Sequence, residues 1–444
     1  MASPSIEART LKGFRDQLPA EMGPRRDMIR KVEAVFTRHG FAPIETPALE
    51  YAEILTGKYG DEGDKLLYQF DDNGGRRVAM RYDLTVPLAR FVAQHQGSLP
   101  TPFRRYHIGS VWRADKPQRG RFREFVQCDA DLVGHNSEVA DAEVLIVGLE
   151  VLRALGVEDA RIHTNHRWIL TGLIKAAGIA EDDAPSVIRA VDKLDKIGPA
   201  GVAAEIVRVV GVSEVVAAAV LATFAEAVDL DALVTIFDRA ALDPEVYGNA
   251  ARRLGKVLDL VAAAGHPGKV VFDASIARGL DYYTGIIYET RLTDPRVASI
   301  GAVMSGGRYD GLIGMFGKTQ QPAVGISLGL DRLLAALREL GLASDGRFGA
   351  DVFVAMFGED DGPVAMQLAT ALRRAAIGVE LSTKGGKLGK QLETADKRGC
   401  AIALLLGPDD RSRGEVVVKH LRSGEQRTVA YAELVETVQA LMRV

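Results

Sequence analysis

The stretch Arg104–Arg123, RRYHIGSVWRADKPQRGRFR, carries seven Arg/Lys against one acid, Asp115, for a local charge of +6. With the residues up to Val133 it reads as two strands joined by a long basic loop containing Pro117 and Gly120. A solvated basic hairpin would account for the charge alone. The residues after the loop argue for more: Phe125, Gln127 and Asp131 fall on one face of a strand, since side chains alternate with a period of two. An aromatic plane, an amide and a carboxylate beside a cationic loop suit a nucleotide together with a small cationic or amphoteric ligand.

Outward from this stretch, apolar residues Met28, Ile29, Val32, Val35 and Phe36 predict a helix over Glu21–His39 that stops at Gly40. A strand-like segment, Phe41–Ile44, runs into Pro47. Between Lys65 and Leu84 the pattern is a hairpin around Asn73-Gly74-Gly75. Ser137–Leu155 is helical, with Ser137 as N-cap and Gly156 as stop. Ile179 to Gly255 is Ala- and Val-rich with helical period, an inserted helical module. Strands return at Val270–Asp273 and Gly285–Thr290, a glycine turn is expected at Gly306-Gly307, and a helix runs from Gly329 to near Gly341. Ala343–Gly349 reads as a linker. Beyond it, strand and helix patterns alternate from Val352–Met356 to Tyr431–Met442, the rhythm of an independent α/β domain.

At 444 residues two or three domains are expected. The formal net charge is −4, 55 basic against 59 acidic residues, so any nucleic-acid contact must come from local patches. Cys128 and Cys400 form no CxxC pattern, which argues against a disulfide framework or a zinc site. Met1–Gly13 has no apolar signal region. Val215–Ala222 and Ala401–Leu406 fall far short of the roughly 20 residues that cross a bilayer. A cytoplasmic protein without membrane association is the expectation.

Several runs, taken together, resemble the class II aminoacyl-tRNA synthetases. GFAPIETPALE with Pro47 is similar to motif 1, WRAD–RFREF to motif 2, and PAVGISLGLDRLL with Arg332 to motif 3. RGLDYYTG at Arg278–Gly285 and GGRYDG at Gly306–Gly311 resemble the two signatures of the histidyl-tRNA synthetases. MRYDLT at Met80–Thr85 is similar to that family's amino-group loop, and KQLETADKRGCAIALLLG to its anticodon-binding domain. The similarity covers essentially the entire chain. It implies an α+β fold: a class II antiparallel sheet core flanked by helices, with a helical insertion and a C-terminal α/β anticodon-binding domain. The implied division is residues 1–178 and 256–342 for the catalytic core, 179–255 for the insertion and 349–444 for the anticodon domain. The implied reaction is ATP-dependent activation of L-histidine and transfer to the 3′ end of histidine tRNA. Mg²⁺ should accompany ATP, and motif 1 implies a homodimer.

The first step of that reaction joins two anions, the histidine carboxylate and the triphosphate. No general base is needed, and cationic clamps should dominate. By the resemblance, Arg113 holds the α-phosphate, Arg332 stacks on adenine and reaches the γ-phosphate, and Phe125 stacks on the other adenine face. Arg121 and Asp115 belong to the same ATP site, Arg121 steadying the bent triphosphate. Arg278 is assigned to the α-phosphate and the substrate carboxylate, making it catalytic together with Arg113. Asp131, Tyr282 and Tyr283 match positions near the imidazole; Asp83, Thr85 and Gln127 match those that hold the α-amino group. No metal ligand is assigned. Without the family, Arg278 would be a surface arginine, Tyr282-Tyr283 a core pair with one ring exposed, and Asp83 a partner of Arg81.

Some features depart from the pattern or carry nothing. Asp331 and Asp115 stand where Glu is common, one methylene shorter. RYDLT replaces RPEGT, which with VDKLDK at Val191–Lys196 resembles a eukaryote-type branch. GGKLGK at Gly385–Lys390 lacks the Walker A spacing and its Ser/Thr. His163 and His166 have no third metal ligand and read as packing or surface residues. Lys384–Arg427 holds ten Lys/Arg against six Asp/Glu, a segment suited to single-stranded anticodon bases. The alternative function is a non-catalytic, synthetase-like regulatory subunit or an uncharged-tRNA sensor. Arg113, Arg278, Arg332 and a complete anticodon domain weigh against it.

Overall fold

The structure is a computed structural model that describes residues 6–117, 121–277, 282–317, 319–343 and 349–442. It divides into two units, residues 1–16 with 28–343, and residues 17–27 with 344–444. The larger unit is built on an eight-stranded sheet. In chain order its strands are β1 (Ala42–Pro43), β2 (Phe103–Trp112), β3 (Glu124–Val133), β4 (Ala160–His166), β5 (Val270–Phe272), β6 (Ile286–Leu292), β7 (Met304–Arg308) and β8 (Ala323–Gly329). In space they lie in the order β1-β2-β3-β8-β7-β6-β4-β5. The inner six pair antiparallel, and only the edge pairs β1–β2 and β4–β5 are parallel.

The two strands read on either side of the basic loop are β2 and β3, which pair over ten residues from Phe103↔Val133 to Trp112↔Glu124. The expected hairpin is also present. Gln69–Asp71 pairs antiparallel with Arg77–Met80 across the turn, and Leu49–Tyr51 completes a three-stranded sheet. Ser137 caps the helix Glu138–Ala154 by accepting from the Ala140 N–H, and Gly156 leaves it at φ +80°, the left-handed turn that glycine adopts without strain.

One local reading fails. Gly306-Gly307 is not a turn but the middle of β7, paired with both β6 and β8. A Cβ on Gly306 would lie 2.1 Å from the Gly325 carbonyl oxygen, and one on Gly307 2.6 Å from the Ile286 carbonyl oxygen. These glycines are needed for close backbone approach, not for a bend.

The helical stretch contains Ala184–Val191, Leu194–Val210, Glu214–Glu226 and Leu230–Arg239, followed by Asn249–Ala263. It does not pack as one body. Val187, Ile188, Val202, Ile206 and Val220 form a cluster that includes Ile276, Ala277 and Ile287. Leu233, Ile236, Phe237, Leu254 and Val257 instead join the main core with Val144, Leu145, Ile162 and Ile326.

The smaller unit has a five-stranded sheet in the order Val379–Leu381, Val352–Met356, Ile402–Leu406, Glu415–His420, Gln426–Ala430. The first three are parallel and the last two antiparallel. One face packs on the helices Gly362–Arg374 and Leu434–Leu441, the other on Leu388–Lys397. The strand Gln426–Ala430 and the helix Pro408–Arg413 had no clear sequence signal. The expected linker falls outside the described residues apart from Ala343 and Gly349. Among the described residues no helix is long and apolar enough to cross a membrane.

Candidate active site

A cavity of about 400 Å³ opens on the large sheet, within the usual range for small-molecule sites. Its wall is drawn from segments far apart in the chain. Asp83 and Thr85 come from the loop and first turn of the helix Thr85–His95. Arg113, Asp115, Arg121 and Phe122 come from the basic loop, and Phe125 and Gln127 from β3. Tyr282 and Tyr283 precede β6, and Arg332 opens the helix Leu330–Glu339. Every described ATP-site candidate therefore faces one space. Arg278 lies outside the described residues.

The arginines are held by oriented neighbours. Arg113 donates from Nε to the Tyr82 carbonyl at 3.0 Å, with its guanidinium 4.2 Å from the Tyr82 ring centre and 5.1 Å from that of Phe125. Arg121 pairs with Asp115 at 2.8 Å. Arg332 donates to the Ala302 carbonyl at 3.1 Å. The N-terminal segment laces this side together. The Gly13 carbonyl accepts from the Arg123 N–H, and Arg15 pairs with Asp331 while lying 3.7 Å over the Phe122 ring. Asp331 also accepts from the Val126 N–H at 3.1 Å.

The basic run does not act as a single patch. Arg104 pairs with Glu143, and Arg105, fully buried, pairs with Asp131 at 2.6 Å. Arg123 donates to the Asp115 carbonyl. Only Arg113 and Arg121 of the described arginines in this run turn into the cavity.

Asp83 is not Arg81's partner. Arg81 donates to the Thr46 and Ser110 carbonyls. Asp83 accepts from the Tyr59 and Tyr282 hydroxyls at 3.1 and 3.2 Å and from the Thr85 and Val86 N–H groups. Burial pushes its carboxyl up, against the Val86 N–H and the Arg113 charge, which pull it down. Tyr282 is raised well above the usual phenol range by burial and by Asp83, so it stays a neutral donor. Tyr282 and Tyr283 are both on the wall, with ring centres 5.0 Å apart.

Asp131 is the described candidate that does not line the cavity. Asp131 is buried, 2% exposed, and held by Arg105 and the Tyr309 hydroxyl. Burial raises Tyr283, with the charges of Asp83 and then Asp131 adding to it, so Asp131 is still felt at the wall. Of the GGRYDG segment, Gly306 lies on the wall, while Arg308 donates to Asp141 and Asp310 and Tyr309 reaches Asp131. His163 pairs with Asp273, and buried His166 accepts from the Trp168 N–H.

Wall residues that the sequence reading passed over include Glu289, Ser305 and Ser327. Glu289 and Ser305 lie in or beside strands whose periodicity marked only their apolar neighbours.

A family model described as Histidyl-tRNA synthetase matches residues 13–333, and one described as Anticodon binding domain matches residues 351–441. The chain belongs to the histidyl-tRNA synthetase family. The histidine–tRNA ligase of Rhodopirellula baltica is 48% identical over 98% of this chain and 99% of its own length. That of Aeropyrum pernix is 38% identical over 98% of each. The histidyl-tRNA synthetase structure from Nostoc sp. PCC 7120 superposes with a TM-score of 0.85 at 32% identity, covering 99% of this chain and all of that one. A Bacillus halodurans structure titled as an ATP phosphoribosyltransferase regulatory subunit/histidyl-tRNA synthetase shares the fold, at TM-score 0.72 and 21% identity over 91% of this chain and all of that one. The α+β architecture with its antiparallel-dominated sheet and C-terminal α/β domain is thus the histidyl-tRNA synthetase fold. As an aminoacyl-tRNA synthetase the chain uses ATP.

Proposed function

We propose that this chain activates L-histidine with ATP to histidyl-adenylate and transfers the histidyl group to the 3′ end of histidine tRNA. The observation that carries this is the convergence of Arg113, Arg121 and Arg332 on one cavity with Asp83, Gln127, Tyr282 and Tyr283. In the first step a histidine carboxylate oxygen bonds to the α-phosphorus as the bond to pyrophosphate breaks. The nucleophile is already anionic, so the protein's task is to hold two anions together and to meet the charge that spreads over the phosphoryl oxygens. Arg113 clamps the α-phosphate, Arg121 with Asp115 steadies the triphosphate, and Arg332 and Phe125 sandwich adenine. Arg278 is assigned to the α-phosphate and the substrate carboxylate. Asp83, Thr85 and Gln127 take the α-amino group; Tyr282 and Tyr283 read the imidazole, with the Asp131 charge acting through Tyr283.

Among the described residues no group of three or more His, Cys, Asp or Glu could form a metal cage. Mg²⁺ would arrive on the triphosphate and keep most of its waters; Asp115 and Glu289, both on the wall, are the carboxylates that would complete its shell. Bound there, the ion neutralises phosphate charge. A homodimer built on the motif 1 segment, a cytoplasmic location and the domain division at residues 178, 255 and 342 belong to the same proposal. The regulatory alternative is not favoured, since the phosphate-gripping arginines and the anticodon domain are both present.

The test is histidine-dependent exchange of pyrophosphate into ATP. Arg113→Ala should lower kcat/KM by about 10²–10³-fold, the loss of one positioned charge worth roughly 2.7–4 kcal/mol, with circular dichroism unchanged. Arg278→Ala should do the same. Wild-type protein that binds histidine but supports no exchange with Mg²⁺ present would select the regulatory reading.

A further inference from the structure

We infer that Ser327, Asp129 and His107 form a cross-strand row that sets the orientation of the Gln127 carboxamide, so that its oxygen is kept as the unpaired acceptor for the substrate's ammonium group. This rests on the reading of Gln127 as an α-amino contact and adds the residues that make it one. Ser327, Asp129 and His107 are positioning residues.

The register of the three central strands supplies the geometry. Gly109, Gln127 and Gly329 form one row across β2, β3 and β8; His107, Asp129 and Ser327 form the next. Residues directly opposite in a row share a face, with Cβ atoms roughly 4.5–5.5 Å apart. Gln127 therefore has glycine on either side and no side chain in its own row to bond. It reaches into the next row instead, and its Nε2 donates to Ser327 Oγ. Its Oε1 is buried without a protein partner, while Gln127 and Ser327 both lie on the cavity wall. With its donor end committed, the amide is left with an unpaired acceptor.

A serine hydroxyl has one proton. Ser327 can accept from Gln127 only while that proton points elsewhere, and Asp129 stands directly opposite. Asp129 is 1% exposed, and among the described residues neither carboxylate oxygen has a hydrogen-bond partner, which leaves both open to a rotated Ser327 hydroxyl. A buried carboxyl left so poorly satisfied costs stability and calls for a reason. On its far side lies His107, 3% exposed, with Nδ1 also unpartnered and the ring kept neutral by burial. A neutral imidazole nitrogen can accept the Asp129 proton when the acid holds one, so in either charge state an Asp129 oxygen is left for Ser327. Remove that acceptor and the serine proton is free to turn to Gln127 Oε1. The amide then flips and presents N–H groups to an ammonium ion.

The experiment compares three ligands by calorimetry on the full-length protein: histidine, histidinol, which keeps the amino group but not the carboxylate, and imidazolepropionate, which keeps the carboxylate but not the amino group. Gln127→Ala first checks the underlying reading by a selective loss of the two amines. Ser327→Ala and Asp129→Ala should weaken histidine and histidinol by about tenfold or more, leaving imidazolepropionate and the KM for ATP unchanged. Asp129→Asn, whose amide oxygen still accepts from Ser327 and whose NH₂ can serve His107, should restore binding. If Gln127→Ala shows the selective loss but Ser327→Ala and Asp129→Ala bind like wild type, or weaken all three ligands alike, the row has no orienting role and the inference falls while the Gln127 reading stands. If Gln127→Ala itself shows no selectivity, that reading falls and takes the inference with it. Should Asp129→Ala fail to fold, Ser327→Ala decides the matter.

Discussion

Asp129 and His166 show at residue scale how burial controls charge in this protein. Burial pushes the Asp129 carboxyl up to about 8; the Arg105 charge pulls it back, while Asp131 raises it further, the Ser327 hydroxyl lowers it and Asp83 raises it. An unfolded aspartate titrates near 3.9. Between these values the native state holds a proton that the unfolded chain releases, so this contribution to stability is present below about pH 4 and lost as pH rises through about 8. The urea midpoint of Asp129→Asn, which cannot ionise, should therefore gain on wild type between pH 5.5 and pH 8.5. A constant gap between the two would show that Asp129 does not titrate in that window. His166 runs the other way. Burial lowers it to about 3, so its contribution is present above about pH 6.5 and lost as pH falls. Motif residues such as Arg113, Phe125 and Gln127 could be read from the sequence because their spacing is local. Asp129 and Ser327 could not: an acid or a serine in an apolar strand has no signal until the opposing strand is known.

Among the elements, β7 separates local from tertiary logic most clearly. A Gly-Gly pair between strands has the composition of a turn, yet here it is where three strands and the Tyr283 ring approach one another. Gly306→Ala would drive a methyl group into the Gly325 carbonyl, a backbone atom that cannot step aside. It should destabilise the large unit by about 3 kcal/mol or more, at the upper end for overpacking. Gly386→Ala, with nothing within 4 Å of the new carbon, should stay within about 0.5 kcal/mol. Urea midpoints of the two variants check the contrast, and equal effects would refute it. The basic loop teaches the same point. Seven positive charges in sequence suggest one surface, but Arg105 belongs to a buried pair and Arg104 to a pair with a helix carboxylate. The strand period decides which side each arginine leaves from, and the neighbours on that side decide its job.

For the whole molecule, the two units imply two separable tasks. Chemistry at the cavity needs only residues of the larger one, whereas the smaller matches an anticodon-binding domain. Lys384, Lys387 and Lys390 are exposed in the smaller unit, placed to meet phosphate or unpaired bases. Replacing all three by Glu should raise the KM for tRNA at least tenfold, by analogy with the loss of several phosphate contacts. Pyrophosphate exchange should be unchanged. Equal loss in both assays would mean that the segment supports the fold rather than the tRNA. The small-residue stretch near residue 345 and the return of alternating strand and helix patterns suggested a separate C-terminal part, but nothing in them pointed to residues 17–27 grouping with it. The split of the helical stretch between two cores was not legible either, because the apolar period is the same whichever core a helix faces.

The sequence alone pointed to the family and to most element positions, because motifs and periodicities are encoded within a few tens of neighbouring residues. Tertiary structure decided which arginines face the cavity, that Asp131 is not part of its lining, and that Asp129 stands between His107 and Ser327. Those facts depend on the register between β2, β3 and β8, whose partners lie from 12 to 202 positions apart. No local pattern specifies which side chains meet across a sheet until hydrogen bonding has fixed that register.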